Sequence, residues 1–253
     1  MPGCLGDDIA SDPVNGMEAH GHAHDTEAED RRWLAATWPF VRVSLPEPPG
    51  RVIEVGCGGL GGFVPKLRRA GYDAVGVDPE APAGESFRQV EFERYDSPGA
   101  VDAVIACTSL HHVADLAVAV DKIAEVLAPD GVVVVVEWVH ELFDDATARW
   151  CFDRLSHHGD TFLHHHRDSW AQSGLPWSRY FQQWARHEHG LHTWTEIEHA
   201  LATRFTAGRL EKSPYYFASL GISEADEAAA IESGKIHAGA IRYLGRLRSR
   251  ARS

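Results

Sequence analysis

The amino-acid sequence predicts an α/β protein with a doubly wound sheet of seven strands and a helical insert after strand five. Three observations carry this prediction. Short, nearly continuous apolar segments alternate with amphipathic helix-length segments between residues 51 and 137, a pattern typical of a parallel sheet covered on both faces. A glycine-rich segment, 56–61, follows the first apolar segment. The stretch 141–200 interrupts the alternation, and two strand-like segments follow it.

The chain before this alternating region predicts a tail and one helix. Residues 1–24 are rich in Gly, Asp, Pro and Asn and hold few large apolar side chains, so we expect them to be disordered. Thr26 and Glu29 fit a capping box that opens an amphipathic helix. The proline-rich segment 45–50 ends that helix.

Periodicity and turn residues place the remaining elements. The first five strands are predicted at 51–55, 74–77, 87–92, 101–106 and 132–137. Helices are predicted at 63–70 and 115–127, and Pro129 to Gly131 are expected to form a turn. The last two strands, 205–210 and 238–247, flank a short helix around 224–232.

These elements divide the chain into five parts. They are a disordered acidic tail at 1–24, an N-terminal cap helix at 25–45, a cofactor-binding core at 46–140, a helical lid and acceptor insert at 141–200, and the last core strands at 201–253. The insert is expected to lie over the cleft because it follows strand five. Its aromatic side chains could wall a substrate or form the insert's own core: Trp150, Trp170, Trp177, Tyr180 and Trp184.

Composition and charge exclude several classes of protein. The formal net charge is −13, and residues 1–30 contribute eight carboxylates with no Lys or Arg. The rest of the chain has no basic stripe, which argues against a nucleic-acid partner. No run of eighteen apolar residues occurs, so a membrane span is not expected. The four cysteines form no C-x-x-C pair, which favours a reduced, cytoplasmic setting.

The glycine segment indicates a bound nucleotide-like ligand. Gly56, Gly58 and Gly61 satisfy G-x-G-x-x-G at the end of a strand and the start of a helix, so a dinucleotide such as NAD is one candidate. Glu54, two residues before the first glycine, would repel a pyrophosphate and suits a ligand with positive charge. Asp78, followed by Pro79 after strand two, can accept hydrogen bonds from a ribose diol.

Four segments in order resemble the motifs of class I S-adenosylmethionine-dependent methyltransferases. Segment 52–58 (VIEVGCG) resembles motif I, and segment 76–78 (GVD) resembles motif II. Segment 102–112 resembles the strand-four motif. Segment 127–131 (LAPDG) resembles the L-x-P-G-G motif, with Asp130 where glycine is usual. The resemblance covers roughly residues 50–137 and implies a Rossmann-like sheet whose last strand is antiparallel.

The resemblance also implies residue roles toward S-adenosylmethionine. Gly56, Cys57 and Gly58 would approach its methionine part, and Asp78 its ribose. The side chains expected around the adenine and on the cofactor's other side are Glu91, with Glu93 as a rival, Phe92, Cys107, Ser109 and Leu110. Because the cofactor lies across the carboxyl ends of the strands in this family, the N-terminal helix with Trp33 could fold over it.

Methyl transfer requires alignment of the acceptor with the methyl group, and a base where the acceptor must lose a proton. The candidates for that base, or for acceptor contacts, are His111, His112 and His140, which follow strands four and five. The histidines of the insert, including the run 164–166, fit no known metal-site spacing, so no metal is expected.

Three functions of different classes compete at this point. The first is methyl transfer to O, N or C of a small molecule, by a chain for which a homodimer is possible. The second is an NAD(P)-dependent oxidoreductase that uses the glycine loop, against which Glu54 and the strand-four motif speak. The third is a non-catalytic protein that binds the cofactor.

Overall fold

The structure, a computed structural model, describes residues 18–188 and 190–248. Its strands are β1 (Arg51–Val55), β2 (Asp73–Val77), β3 (Phe87–Arg88), β4 (Val101–Cys107), β5 (Leu127–Trp138), β6 (Phe205–Ser213) and β7 (Ala240–Leu247). Its α-helices are α1 (Glu18–Ser44), α2 (Val64–Arg69), α3 (Leu116–Val126), α4 (Asp145–Phe152), α5 (Phe162–Ser173), α6 (Trp177–Gln183), α7 (Trp194–Arg204), α8 (Phe217–Leu220) and α9 (Glu224–Glu232).

One seven-stranded sheet organises the chain, in the order β3-β2-β1-β4-β5-β7-β6. The first five strands pair in parallel, and β7 pairs antiparallel with both β5 and β6. The strand order reverses between β1 and β4, and in such sheets ligands bind outside the carboxyl ends of the strands at that point. The predicted doubly wound, mostly parallel fold is therefore confirmed.

Apolar layers cover both faces of the sheet. On one face α3 and α7 pack through residues such as Ile123 and Leu201. On the other face α1 and α2 pack through residues such as Val41 and Leu67. Successive valines of β5 alternate between the two layers, as the period of a strand requires. Burial on both faces explains why the parallel strands read as continuous apolar segments.

The N-terminal boundaries differ from the prediction. Helix α1 begins at Glu18, so Thr26 lies inside the helix and does not open it. Residues 18–24 therefore belong to α1 and not to a tail, because no proline between them and Thr26 stops the helix. The remainder of the predicted tail, 1–17, lies outside the described residues.

Two strands and the end of the insert also differ from the elements predicted from the sequence. Strand three is limited to the two residues of β3, and Phe92–Arg94 forms a 3-10 turn with Glu91 as its N-terminal cap residue. The predicted turn at Pro129 is absorbed into β5, where the pairing register with β4 shifts. The predicted end of the insert at residue 200 falls within α7, whose Leu201 is part of the sheet's own core.

Candidate active site

A cavity of about 850 Å³ opens at the carboxyl ends of β1, β2 and β4. Its walls are the glycine loop, the segments that follow β2 and β4, the turn 91–93 and one face of α1. Most of the residues predicted for the site line it: Glu54, Gly56, Cys57, Gly58, Asp78, Pro79, Glu91, Phe92, Cys107, Ser109 and His112. Three of the four motif segments, 52–58, 76–78 and 102–112, therefore contribute to one cavity, whereas segment 127–131 lies at the start of β5 and does not line it.

Four predicted residues do not line this cavity: Gly61, Leu110, His111 and His140. A Cβ on Gly61 would lie 2.8 Å from the ring of Phe87, so this glycine permits a close packing contact. Its neighbour Gly62 lines the cavity in its place. Leu110 is fully buried in the sheet's apolar core.

The glycine loop is built for close approach of backbone to neighbours and ligand. Gly56 has φ +73°, and a Cβ there would lie 2.3 Å from Cβ of Ser109. Its N–H donates to the carbonyl of Val77 at 2.9 Å, which ties the loop to β2. Gly58 has φ +61° and has no atom within 4 Å of its Cβ position. The first glycine thus seats the loop against β4, and the second presents bare backbone to the cavity.

Glu54 has a different environment from the one expected. Its carboxylate is buried and accepts hydrogen bonds from the N–H groups of Phe63, at 2.8 and 3.0 Å, and of Val64 at 3.0 Å. It therefore binds the start of α2, where a negative charge is favourable. Burial, opposed by these hydrogen bonds and assisted by Asp78, raises the pKa of Glu54 to about 8.

Asp78, which follows β2, organises the glycine loop. One carboxylate oxygen accepts from the N–H of Gly58 at 3.0 Å, and the other accepts from the N–H of Glu80 at 2.7 Å. A carboxylate has about four lone-pair positions, so each oxygen retains acceptor capacity toward a ligand in the cavity.

The cysteines of the cavity are not nucleophiles. Burial, with smaller contributions from Glu54 and Asp78, raises the pKa of Cys57 to about 12. Burial also raises the pKa of Cys107 well above its usual value. Since the thiolate is the reactive form, both side chains serve as small apolar wall residues.

A buried carboxylate that was not predicted, Glu137 of β5, organises the segment after β4. One of its oxygens accepts from the N–H groups of Ser109 at 2.9 Å and Leu110 at 2.6 Å. The other oxygen lies 2.6 Å from Nδ1 of His111. The sequence could have indicated Glu137 only as a single glutamate at the end of an apolar strand. Thr108, just before this segment, has φ +49°, a strained conformation for a β-branched residue.

The three candidate histidines therefore have different positions. His111 is buried behind the cavity wall on Glu137. His112 lines the cavity, with its ring centroid 4.1 Å from that of His111. His140 lies outside the lining, where its Nε2 meets the carbonyl of His192 at 3.2 Å. Burial lowers the pKa of His140.

Helix α1 forms the wall opposite the sheet through Asp30, Trp33 and Leu34. Arg32 anchors the helix by donating from Nε and Nη2 to the carbonyl of Ala218 at 3.1 and 2.8 Å. Helix α1 thus contributes to the lining, and that it folds over the cofactor stays a prediction. Asp30 was not predicted, because nothing in its local sequence marks it.

None of the insert residues that the structure describes lines the cavity. The aromatic side chains of the insert pack on one another around Trp177, which is fully buried and donates from Nε1 to the carbonyl of Phe143 at 2.7 Å. Of the two alternatives for these rings, the structure shows the insert's own core; that the insert lies over the cleft stays a prediction. Across the described ranges, no group of three or more His, Cys, Asp and Glu side chains is arranged to hold a metal.

Comparison with known proteins places the chain in a family. A family model described as "Methyltransferase domain" matches residues 23–207. A curated ubiquinone biosynthesis O-methyltransferase from Azorhizobium caulinodans is 31% identical over 99 residues, which cover 34% of this chain and 39% of that protein. The match thus spans well under half of the relative's length.

Two crystal structures show the same fold. An S-adenosylmethionine-dependent methyltransferase from Mesorhizobium loti has a TM-score of 0.53 at 18% identity, over 83% of this chain and 97% of that one. A geranyl diphosphate C-methyltransferase from Streptomyces coelicolor, in complex with Mg²⁺, geranyl diphosphate and S-adenosyl-L-homocysteine, has a TM-score of 0.52 at 17% identity, over 85% and 80%.

The chain belongs to the methyltransferase domain family. The resemblance read from the sequence motifs is therefore confirmed. Within the described ranges, no helix combines the length and apolar character needed to cross a bilayer.

Proposed function

We propose that the chain moves the methyl group of S-adenosylmethionine to O, N or C of a small organic molecule held in the cavity beneath α1. The observation that carries this proposal is the cavity itself, whose volume of about 850 Å³ lies in the range of small-molecule sites. It is lined by three of the four motif segments and by one face of α1. S-adenosylmethionine supplies an electrophilic methyl carbon on a sulfonium.

The residues of the cavity fit this cofactor. Within the described part of the chain, the lining holds no Lys or Arg and, besides Glu54, which binds the start of α2, four acidic side chains: Asp30, Asp78, Glu91 and Glu93. Such a lining suits a ligand with a sulfonium and an ammonium group and repels a pyrophosphate, which supports the cofactor over NAD. Ser109 Oγ, buried without a hydrogen-bond partner among the described residues, can bond a ligand there. We assign the backbone of Gly56 and Gly58 to the methionine part.

The remaining cofactor roles are assigned by position. The carboxylate of Asp78 would accept from the ribose hydroxyls, with Pro79 beside it. Glu91 and Phe92 would bind the adenine, since they follow β3 at the far side of the cavity from β4. Cys57 and Cys107 would contribute apolar walls.

Proton removal from the acceptor is assigned to the His111–His112 pair. Nδ1 of His111 lies 2.6 Å from a carboxylate oxygen of Glu137, and this contact fixes the orientation of the imidazole. His112 is the member of the pair that lines the cavity. His140 is excluded from this role because it faces the carbonyl of His192 away from the lining.

Small-molecule acceptors are supported by the names of two relatives. One is named for ubiquinone biosynthesis, and the other for the methylation of geranyl diphosphate. The acidic lining and the net charge of −13 oppose a nucleic-acid acceptor. We also propose a cytoplasmic setting, consistent with the free cysteines Cys57, Cys107 and Cys151, and we retain the possibility of a homodimer as a prediction.

The proposal is tested by following the methyl group. The purified chain is incubated with methyl-tritiated S-adenosylmethionine and a cell extract, and the label is measured in metabolite, protein and nucleic-acid fractions. We expect label in the metabolite fraction. Label in protein or nucleic acid, or none above an enzyme-free control, would contradict the proposal.

A further inference from the structure

The turn that follows β4 carries part of the cavity wall and begins at a strained residue. Leu110–His112 form a 3-10 turn, and Ser109, His112 and Val113 line the cavity. Thr108, directly before Ser109, has φ +49°. A β-branched residue keeps this costly conformation only where the surrounding contacts leave no alternative. The contacts that hold this turn therefore also determine the shape of the cavity wall.

Strand β5 holds the first half of the turn. The N–H groups of Ser109 and Leu110 donate to the carboxylate of Glu137, and Nδ1 of His111 lies 2.6 Å from the same carboxylate. These contacts involve backbone donors and one buried ring. They leave the carbonyl groups in the second half of the turn to other partners.

His192 holds the second half of the turn. This residue belongs to the predicted insert, 141–200, and lies just before α7. Its backbone N–H donates to the carbonyl of His111 at 3.0 Å, and Nε2 of its ring lies 2.9 Å from the carbonyl of Val113. Because a carbonyl oxygen only accepts, Nε2 is the donor in this hydrogen bond. One residue thus binds the carbonyl groups on both sides of His112.

The backbone of His192 is itself fixed by its neighbours. Nε2 of His140 lies 3.2 Å from the carbonyl of His192. The next residue, Thr193, begins α7 and forms a capping box with Glu196, which determines the direction of the chain at this point. The imidazole of His192 therefore extends from an ordered support toward the turn.

We propose that His192 is a positioning residue for methyl transfer, which keeps His112 directed toward the acceptor by binding the carbonyl of Val113. The inference rests on the proposed function above, which places the acceptor in the cavity and assigns proton removal to the His111–His112 pair. It gives the insert a role at the site, although none of its described residues lines the cavity. Small displacements of a reacting group slow a reaction strongly, so the contact acts on the rate of transfer.

The affinity for the cofactor should not depend on this contact. Ser109, which lies against Gly56 of the glycine loop, is held by Glu137 and not by His192. Loss of the imidazole therefore leaves the first half of the turn in place. The expected signature is a lower rate of transfer at an unchanged affinity for S-adenosylhomocysteine.

The test compares His192→Ala with His192→Gln. Both variants keep the backbone N–H that binds the carbonyl of His111, so they differ only in the side chain. The amide of glutamine can place a donor near the position of Nε2, whereas alanine has none. His199→Ala is the control, since His199 is exposed on α7 and does not line the cavity.

Three quantities are measured for each folded chain. Calorimetry gives the affinity for S-adenosylhomocysteine. Methyl-tritiated S-adenosylmethionine at saturating concentration, incubated with a cell extract, gives the initial rate of label transfer to the metabolite fraction. The NMR signal of the His112 ring, recorded with S-adenosylhomocysteine bound and assigned by its loss in His112→Gln, reports the position of that ring.

We expect His192→Ala to lower the rate about ten-fold, to shift the His112 signal and to leave the affinity for S-adenosylhomocysteine unchanged. His192→Gln should restore the rate and the signal, and His199→Ala should match the wild type. An unchanged rate or an unchanged His112 signal in His192→Ala would overturn the inference, as would a loss that His192→Gln does not restore. A parallel loss of S-adenosylhomocysteine affinity would also overturn it, because His192 would then support the whole cavity. Failure of the wild type to bind S-adenosylhomocysteine or to label the extract would instead contradict the proposed function.

Discussion

Replacement of Gly56 by alanine should break the contact that holds the glycine loop against β4. A Cβ at φ +73° is strained, at a cost of about 1–2 kcal/mol. The new methyl group would also lie 2.3 Å from Cβ of Ser109, which must move. Ser109 donates its N–H to the carboxylate of Glu137, a charge-assisted bond of about 1.5–3 kcal/mol. The free energy of unfolding should therefore fall by about 3–5 kcal/mol in Gly56→Ala.

Gly58→Ala is the matched control for this prediction. Gly58 has a similar φ of +61° but no atom within 4 Å of its Cβ position, so only the strain of about 1–2 kcal/mol remains. Urea unfolding followed by tryptophan fluorescence gives both values. The new methyl group of Gly58→Ala would enter the cavity, so this variant should instead lose affinity for S-adenosylhomocysteine. Equal destabilisation by the two substitutions would refute the argument that Gly56 is required for its contact with Ser109.

Three further perturbations test other parts of the structure. Trp177→Ala should lower the free energy of unfolding by about 3–5 kcal/mol, and a folded variant that lost S-adenosylhomocysteine affinity would show that the insert reaches the cavity. Arg32→Gln removes the anchor of α1 on the carbonyl of Ala218; it should weaken S-adenosylhomocysteine binding in calorimetry, and unchanged affinity would contradict the role of α1 as a wall. The buried carboxylate of Glu227 accepts hydrogen bonds from the N–H groups of Tyr215 and Phe217 at the start of α8, and burial raises its pKa to about 7. The pKa of Glu227 is higher in the folded than in the unfolded chain, so its stabilising contribution is complete at acid pH and is lost as pH rises through about 7. The free energy of unfolding, measured from about pH 5 to about pH 8, should therefore fall less in Glu227→Gln than in the wild type. Parallel curves for the two proteins would contradict this prediction.

Elements with strong local signals were predicted well. Ser223 and Asp226 form a capping box, and the helix they begin, Glu224–Glu232, has the predicted bounds. The helix predicted at 115–127 is α3, Leu116–Val126, and Asp115 caps it. In both cases the residues that determine the boundary are neighbours in sequence.

Contacts between distant segments account for the differences. Glu54 was expected to face the ligand, but its partners are the N–H groups that start α2, which only the folded loop brings to it. His111 was placed in the cleft, but Glu137 holds it behind the wall from the next strand. Asp30 lines the cavity only because α1 packs beside the glycine loop in the folded chain. None of these pairings leaves a periodic or motif signal.

We propose that the cavity binds S-adenosylmethionine through the loop that Asp78 organises. Isothermal titration of the wild type, Asp78→Ala and the surface control Asp153→Ala with S-adenosylmethionine, S-adenosylhomocysteine and NAD tests it most directly. We predict that the wild type binds the first two ligands but not NAD. Asp153→Ala should retain this binding, and Asp78→Ala should lose it. Binding of NAD alone, or affinity for S-adenosylmethionine that Asp78→Ala leaves unchanged, would contradict the account.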